Sequence, residues 1–170
     1  EKKRNNVHVT FNGEQFKVKG TQSNVEAKAP DVTVKESNGD DVQLYNFITD
    51  KPVVVSVVPD VETRTCELQT KNFADKLAEE DVIYLTVSRN TVDQFNDWNK
   101  ENDLNLVTLS DTNGEFGREF GLEIDLDGNA VLARSVFLLD ADGVVRYVQI
   151  VPEVVDEPDY KETLVAIKDL

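Results

Sequence analysis

A chain of 170 residues with 33 acidic against 18 basic side chains carries a formal charge of −15. That balance excludes a phosphate-neutralising surface, which needs clustered Lys and Arg, and an anionic membrane surface would repel the chain for the same reason. The single cysteine excludes an internal disulfide framework, and no apolar run approaches the roughly 20 residues of a membrane span.

The length suits one domain, burying on the order of 70% of its unfolded surface. The opening "EKKRNN", residues 1–6, reads as a disordered arm, and residues 7–170 as the domain. The chain contains no methionine, so residue 1 is not read as a native start. A cytoplasmic location is expected, and a signal peptide or tag removed before residue 1 would leave the same chain.

From Val7 the pattern alternates on both sides of Asn12-Gly13 and predicts a hairpin. Val7, Val9 and Phe11 share one face, as do Phe16 and Val18. His8 falls on the opposite face as a solvated residue, with no Cys or His beside it to complete a metal site. A loop through Pro30 leads to two short strands, "DVTVK" and "DVQLYNF", around Asn38-Gly39-Asp40. "PVVVSVV" is a β-branched run of the kind buried on both faces.

Helical spacing follows from Thr63 to about Glu79, with Cys66, Phe73 and Leu77 on one side. "VIYLTVS" is the next strand. Thr91 and Gln94 form a capping box for a helix whose apolar face holds Val92, Phe95 and Trp98. "NLVTLSD" is a strand, "GEFGREFGL" a short helix or turn, and "ARSVFLLDADGVVRYVQIV" two strands joined at Asp142-Gly143. A last helix opens near Asp156 and Pro158 with Tyr160, Leu164 and Ile167 as its stripe. Alternating strands and helices followed by a hairpin and a closing helix indicate an α/β fold with a mixed sheet.

Two motifs fail. "EIDLDGNAVLAR" imitates a calcium loop, but Arg134 stands where the bidentate Glu belongs, so a polar turn is the better reading. "GEFGREFG" lacks both the dinucleotide spacing and a Walker lysine.

With Thr63 as N-cap, Cys66 is the third helical residue, in the turn where free N–H groups and the helix dipole favour negative charge. Helix N-termini are among the few settings that activate thiols. Glu62 and Glu67 oppose this. Arg64 is close in sequence but points off the cysteine's face, while Arg134 enters an otherwise apolar strand predicted to run beside the central one. A charge there is costly unless paired or used; the other reading is a strand-end arginine reaching out to water. Spacing leaves both open, and from spacing alone an inert, buried Cys66 is favoured.

The residues nevertheless resemble a known family. "PDVETRTC" is similar to the peroxiredoxin signature, carried by Pro59, Thr63 and Cys66. "SVVP", "VTLSD" at 107–111, "LARSVF" at 133–137, "VPEVVDEPDY" at 151–160 and the "VTFNG" hairpin resemble segments of its thiol peroxidase subfamily. The resemblance implies a thioredoxin-like fold with an N-terminal hairpin, and peroxide reduction without metal or organic cofactor.

It also implies roles. Cys66 matches the cysteine that attacks the O–O bond, Thr63 the hydroxyl that orients substrate and sulfur, and Pro59 the shield of the nascent sulfenic acid. Arg134 matches the arginine that stabilises the thiolate and the developing oxygen charge. Implied partners are a hydroperoxide, an external thiol such as thioredoxin, and a second copy in a homodimer. The subfamily's resolving cysteine follows an aromatic residue on the next helix; here Trp98 is followed by Asn99. An amide forms no disulfide, so regeneration by an outside thiol is expected. A sensor that passes oxidation to a partner by mixed disulfide is the alternative.

Overall fold

The computed structural model describes residues 7–21 and 23–170, so the arm assigned to residues 1–6 lies outside the described residues. Strand β5 (Val53–Val57) anchors the architecture because all five of its residues are buried. Val53, Val55 and Val57 pack into one apolar cluster, whereas Val54 joins a second on the opposite face. A pleated strand covered on both sides requires this lack of polar alternation.

Around it lie β6 (Ile83–Ser88), β7 (Val107–Ser110), β10 (Ser135–Leu139), β11 (Val145–Ile150), β3 (Thr33–Lys35) and β4 (Asp41–Gln43). The order across the seven-stranded sheet is β11-β10-β5-β6-β7-β3-β4. β5, β6 and β7 are parallel, while β10 runs antiparallel to β5 in the register Ser135 to Val57 and Leu139 to Val53. This mixed sheet is the α/β architecture expected.

Helices α1 (Arg64–Leu77) and α4 (Tyr160–Lys168) cover one face. Phe73 and Leu77 meet Val54, Val136 and Leu138 there, with Tyr160, Leu164 and Ile167 packed alongside. On the other face Phe116 and Phe120 of α3 (Glu115–Phe120) stack at 4.2 Å, and Phe120 meets Phe137 edge-on. Burying one such side chain stabilises the fold by about 1.5–3 kcal/mol. Helix α2 (Val92–Glu101) has the full capping box at Thr91 and Gln94 and buries Phe95 and Trp98.

Strands β1 (His8–Phe11) and β2 (Glu14–Lys17) form the N-terminal hairpin, with His8 exposed. Three expectations need correction. "DVQLYNF" is a strand only to Gln43, because the Asp31 carboxylate takes the Tyr45 N–H at 3.0 Å and turns Leu44–Phe47 into a 3-10 helix. The final helix begins at Tyr160, capped by Asp159, whose side chain accepts the Glu162 N–H. The stretch read as a polar turn is a complete hairpin, β8 (Glu123–Leu126) with β9 (Asn129–Leu132). Asp127 and Gly128 turn it with φ of 52° and 86°, the left-handed pair that such a turn requires.

Candidate active site

Parallel β5 delivers the chain to the carboxyl edge of the sheet, where open α/β folds place their ligands. The segment leaving it, Val58-Pro59-Asp60, is held from several sides. The Val58 N–H donates to Val87 O. Asn90 accepts the Val61 N–H at 2.8 Å and donates to Asp60 Oδ1 at 3.0 Å, and the same Asp60 oxygen accepts the Glu62 N–H. These bonds fix where α1 starts. Thr63 is its N-cap by backbone conformation, but its hydroxyl donates to Asp60 O at 2.8 Å instead of capping.

Cys66 is therefore the third residue of α1, and its side chain is 1% exposed against Val58, Val61, Phe95 and Trp98. Arg134 reaches it from the other side, at the entry to β10. Nη2 lies 3.4 Å from Sγ, Nη1 donates to Gln69 Oε1 at 3.0 Å, and Nε donates to Val154 O at 2.7 Å. The residue is 3% exposed, so it does not reach out to water. No ion pair among the described residues involves it. Among the described residues, the hydrogen-bond partners of this buried guanidinium are two neutral oxygens and one sulfur.

The two carboxylates that opposed a negative charge on Cys66 in the sequence are turned elsewhere. Glu67 pairs with Lys71 at 3.6 Å, and Glu62 accepts from Gln94. The positions read from the sequence thus come together: Pro59, Thr63, Cys66 and Arg134 all line one cavity of about 460 Å³. Phe11, Leu126, Val131, Val154 and Val155 supply its apolar wall. Among the described residues no cluster of His, Cys, Asp or Glu could hold a metal ion.

A model of the Redoxin family matches residues 24–164. The thiol peroxidase of Staphylococcus aureus strain MRSA252 is 36% identical over 166 residues, covering 96% of this chain and 99% of that protein. The chain belongs to the Redoxin family, in its thiol peroxidase group. The Staphylococcus saprophyticus thiol peroxidase is 34% identical over the same span. This Redoxin also superimposes on the peroxiredoxin-like protein of Aquifex aeolicus with TM-score 0.87 at 27% identity, covering 95% of this chain and 96% of that one. The thiol peroxidase of Chromobacterium violaceum gives TM-score 0.87 at 17% identity, a likeness of fold. The fold is thus the thioredoxin-like one, and the activity class is a peroxidase oxidoreductase using a peroxide and a thiol.

Sequence reasoning missed three supports of this Redoxin site. Gln69 is fully buried and links Ser56 Oγ to Arg134, donating to the first at 2.9 Å. A polar residue on the Cys66–Phe73 face of α1 was its signal. Asn90 had none, because its partners are a distant loop. Val154 acts through its main-chain carbonyl, which composition cannot reveal. Nearby, the Glu153 carboxylate accepts from Thr10 Oγ1 at 3.0 Å and from the N–H groups of Asn12, Gly13 and Val155. Partial burial pushes Glu153 up, but those four donors outweigh it and hold it below the usual carboxylate range. Asn99 is engaged with the Leu106 backbone, donating to its carbonyl at 3.2 Å and accepting its N–H at 3.1 Å.

Proposed function

We propose that the protein is a one-cysteine peroxidase in which Cys66 is the reacting sulfur. The Cys66 thiolate attacks one peroxide oxygen; the O–O bond breaks, the sulfur becomes a sulfenic acid, and the departing alkoxide takes a proton and leaves as an alcohol, or as water from hydrogen peroxide. A first external thiol displaces water from the sulfenic acid to give a mixed disulfide. A second releases the Cys66 thiol and carries the disulfide away. The observation that carries this reading is the unpaired, buried Arg134 guanidinium 3.4 Å from Sγ.

The other roles follow from local chemistry. The Thr63 hydroxyl gives its proton to Asp60 O, which leaves its lone pairs to accept the O–H of a hydroperoxide. N–H groups of the first turn of α1 have no intrahelical acceptor and are available to oxygen as it gains charge. Buried Pro59 supplies an apolar wall that keeps water from the oxidised sulfur. The cavity is far larger than hydrogen peroxide needs, and its apolar wall supports small organic hydroperoxides as substrates alongside it. With one cysteine in the chain, no internal disulfide can form, and the reductant comes from outside. Homodimer formation, thioredoxin as reductant and a cytoplasmic setting are supported by the family resemblance.

The relay reading ranks second. Both a relay partner and thioredoxin are protein thiols that must bring their own Cα within roughly 7 Å of that of Cys66, and a sulfur with 1% exposure admits a small thiol more readily than either. The test is consumption of cumene hydroperoxide in the presence of dithiothreitol by wild type and Cys66→Ser. Turnover lost in the variant is the expected result; equal consumption by both sinks the assignment.

A further inference from the structure

We propose that Arg64 is a carboxylate-recognition residue at the rim of the Cys66 cavity, selecting acidic molecules as they approach the sulfur. This rests on the peroxidase reading and adds to it the charge of what enters. Three charged side chains line the cavity: Asp60, Arg64 and Arg134. Arg134 spends its donors on Val154, Gln69 and Cys66. Asp60 is engaged through Oδ1 with Glu62 N and Asn90 Nδ2.

Arg64 differs from both. It is exposed, and no side-chain hydrogen bond or ion pair among the described residues involves it. Its acidic neighbours in sequence, Glu62 and Glu67, have partners in Gln94 and Lys71. Helix geometry does point Arg64 away from the face of Cys66, yet as first residue of α1 its side chain still borders the same cavity. A free guanidinium fork matches a carboxylate in two parallel hydrogen bonds, and the α1 N-terminus adds favourable potential.

The carboxylate can belong to either small molecule that meets Cys66: the hydroperoxide that oxidises it or the thiol that reduces it. An apolar body fits against Phe11, Leu126 and Val131 while the acid group stays at the wet rim. Because the rim is exposed, the gain is modest and salt-sensitive.

Two arms separate the sources. In the first, kcat/KM is measured for linoleic acid hydroperoxide and its methyl ester. In the second, the sulfenic acid formed with one equivalent of hydrogen peroxide is reduced by 3-mercaptopropionate or its methyl ester. The readout in each arm is the acid-to-ester ratio, compared between wild type, Arg64→Gln and Arg64→Lys, with circular dichroism confirming that each variant folds. The expected result is a ratio lowered about threefold or more by Arg64→Gln in at least one arm, largely restored by Arg64→Lys and reduced by added salt. A smaller change in both arms overturns the proposal. Mass spectrometry keeps the two readings apart: sulfenic acid forming without charge discrimination removes only the Arg64 assignment, whereas no sulfenic acid with any hydroperoxide removes the peroxidase reading beneath it.

Discussion

Arg134 carries a full charge into the site, and no carboxylate among the described residues pairs with it. Taking such an ion out of water costs several kcal/mol unless its donors are satisfied, and here Val154 O, Gln69 Oε1 and Cys66 Sγ account for three of the five. Two of those acceptors are neutral, so the sulfur is where compensating charge is most favourable. Arg134→Lys keeps the charge but loses the planar fork, and one ammonium cannot span the same three acceptors. The variant should oxidise Cys66 on the order of 10²–10³ times more slowly. Stopped-flow tryptophan fluorescence can follow this directly, since the chain's one tryptophan, Trp98, packs in the same buried cluster as Cys66. A rate within a few-fold of wild type would mean that charge alone suffices.

At the scale of elements, the segment 152–155 ties the N-terminal hairpin to the site. Thr10 N donates to Pro152 O and Val154 N to Thr10 O, while Val154 O and Val155 O receive Arg134 and Thr65. Glu153 clamps the hairpin turn from within that segment. Its folded pKa lies below the ordinary 4.5, so the stability it contributes is fully present above that value and is lost as pH falls through the folded pKa. Glu153→Gln should therefore lower the melting temperature at neutral pH, with the gap to wild type closing in acid. Thermal unfolding from pH 7 down through the carboxylate range measures it. A gap that stays constant would show that the clamp works by geometry rather than charge.

For the molecule as a whole, a charge of −15 implies self-repulsion that compactness makes worse. Raising ionic strength from about 0.01 M to 0.15 M shortens the Debye length from about 30 Å to 8 Å. The melting temperature should rise over that interval in calorimetry, and a fall would mean that local ion pairs outweigh the net charge. Asp111 acts in the opposite sense to Glu153. Burial raises it more than the N–H groups of Phe116 and Gly117 lower it, so its ionised form costs stability near neutrality and the cost is relieved as pH falls.

What the sequence determined by itself is local or periodic. Alternation, β-branched runs and the Thr91–Gln94 box act between residues close in the chain, so the hairpin, the central strand and α2 were legible there. The short motif Pro59–Thr63–Cys66 was legible for the same reason. The choice between an Arg134 that reaches out to water and one buried beside Cys66 was not, since it turns on a pairing of β10 with β5 and on a carbonyl at Val154 that no side-chain pattern encodes. Gln69 and Asn90 became visible as supports only once α1 and the loop after β6 were packed against the 58–62 segment. Tertiary structure decided these because burial and hydrogen-bond partnership belong to pairs of residues brought together by folding, and spacing along one chain carries no record of the second member.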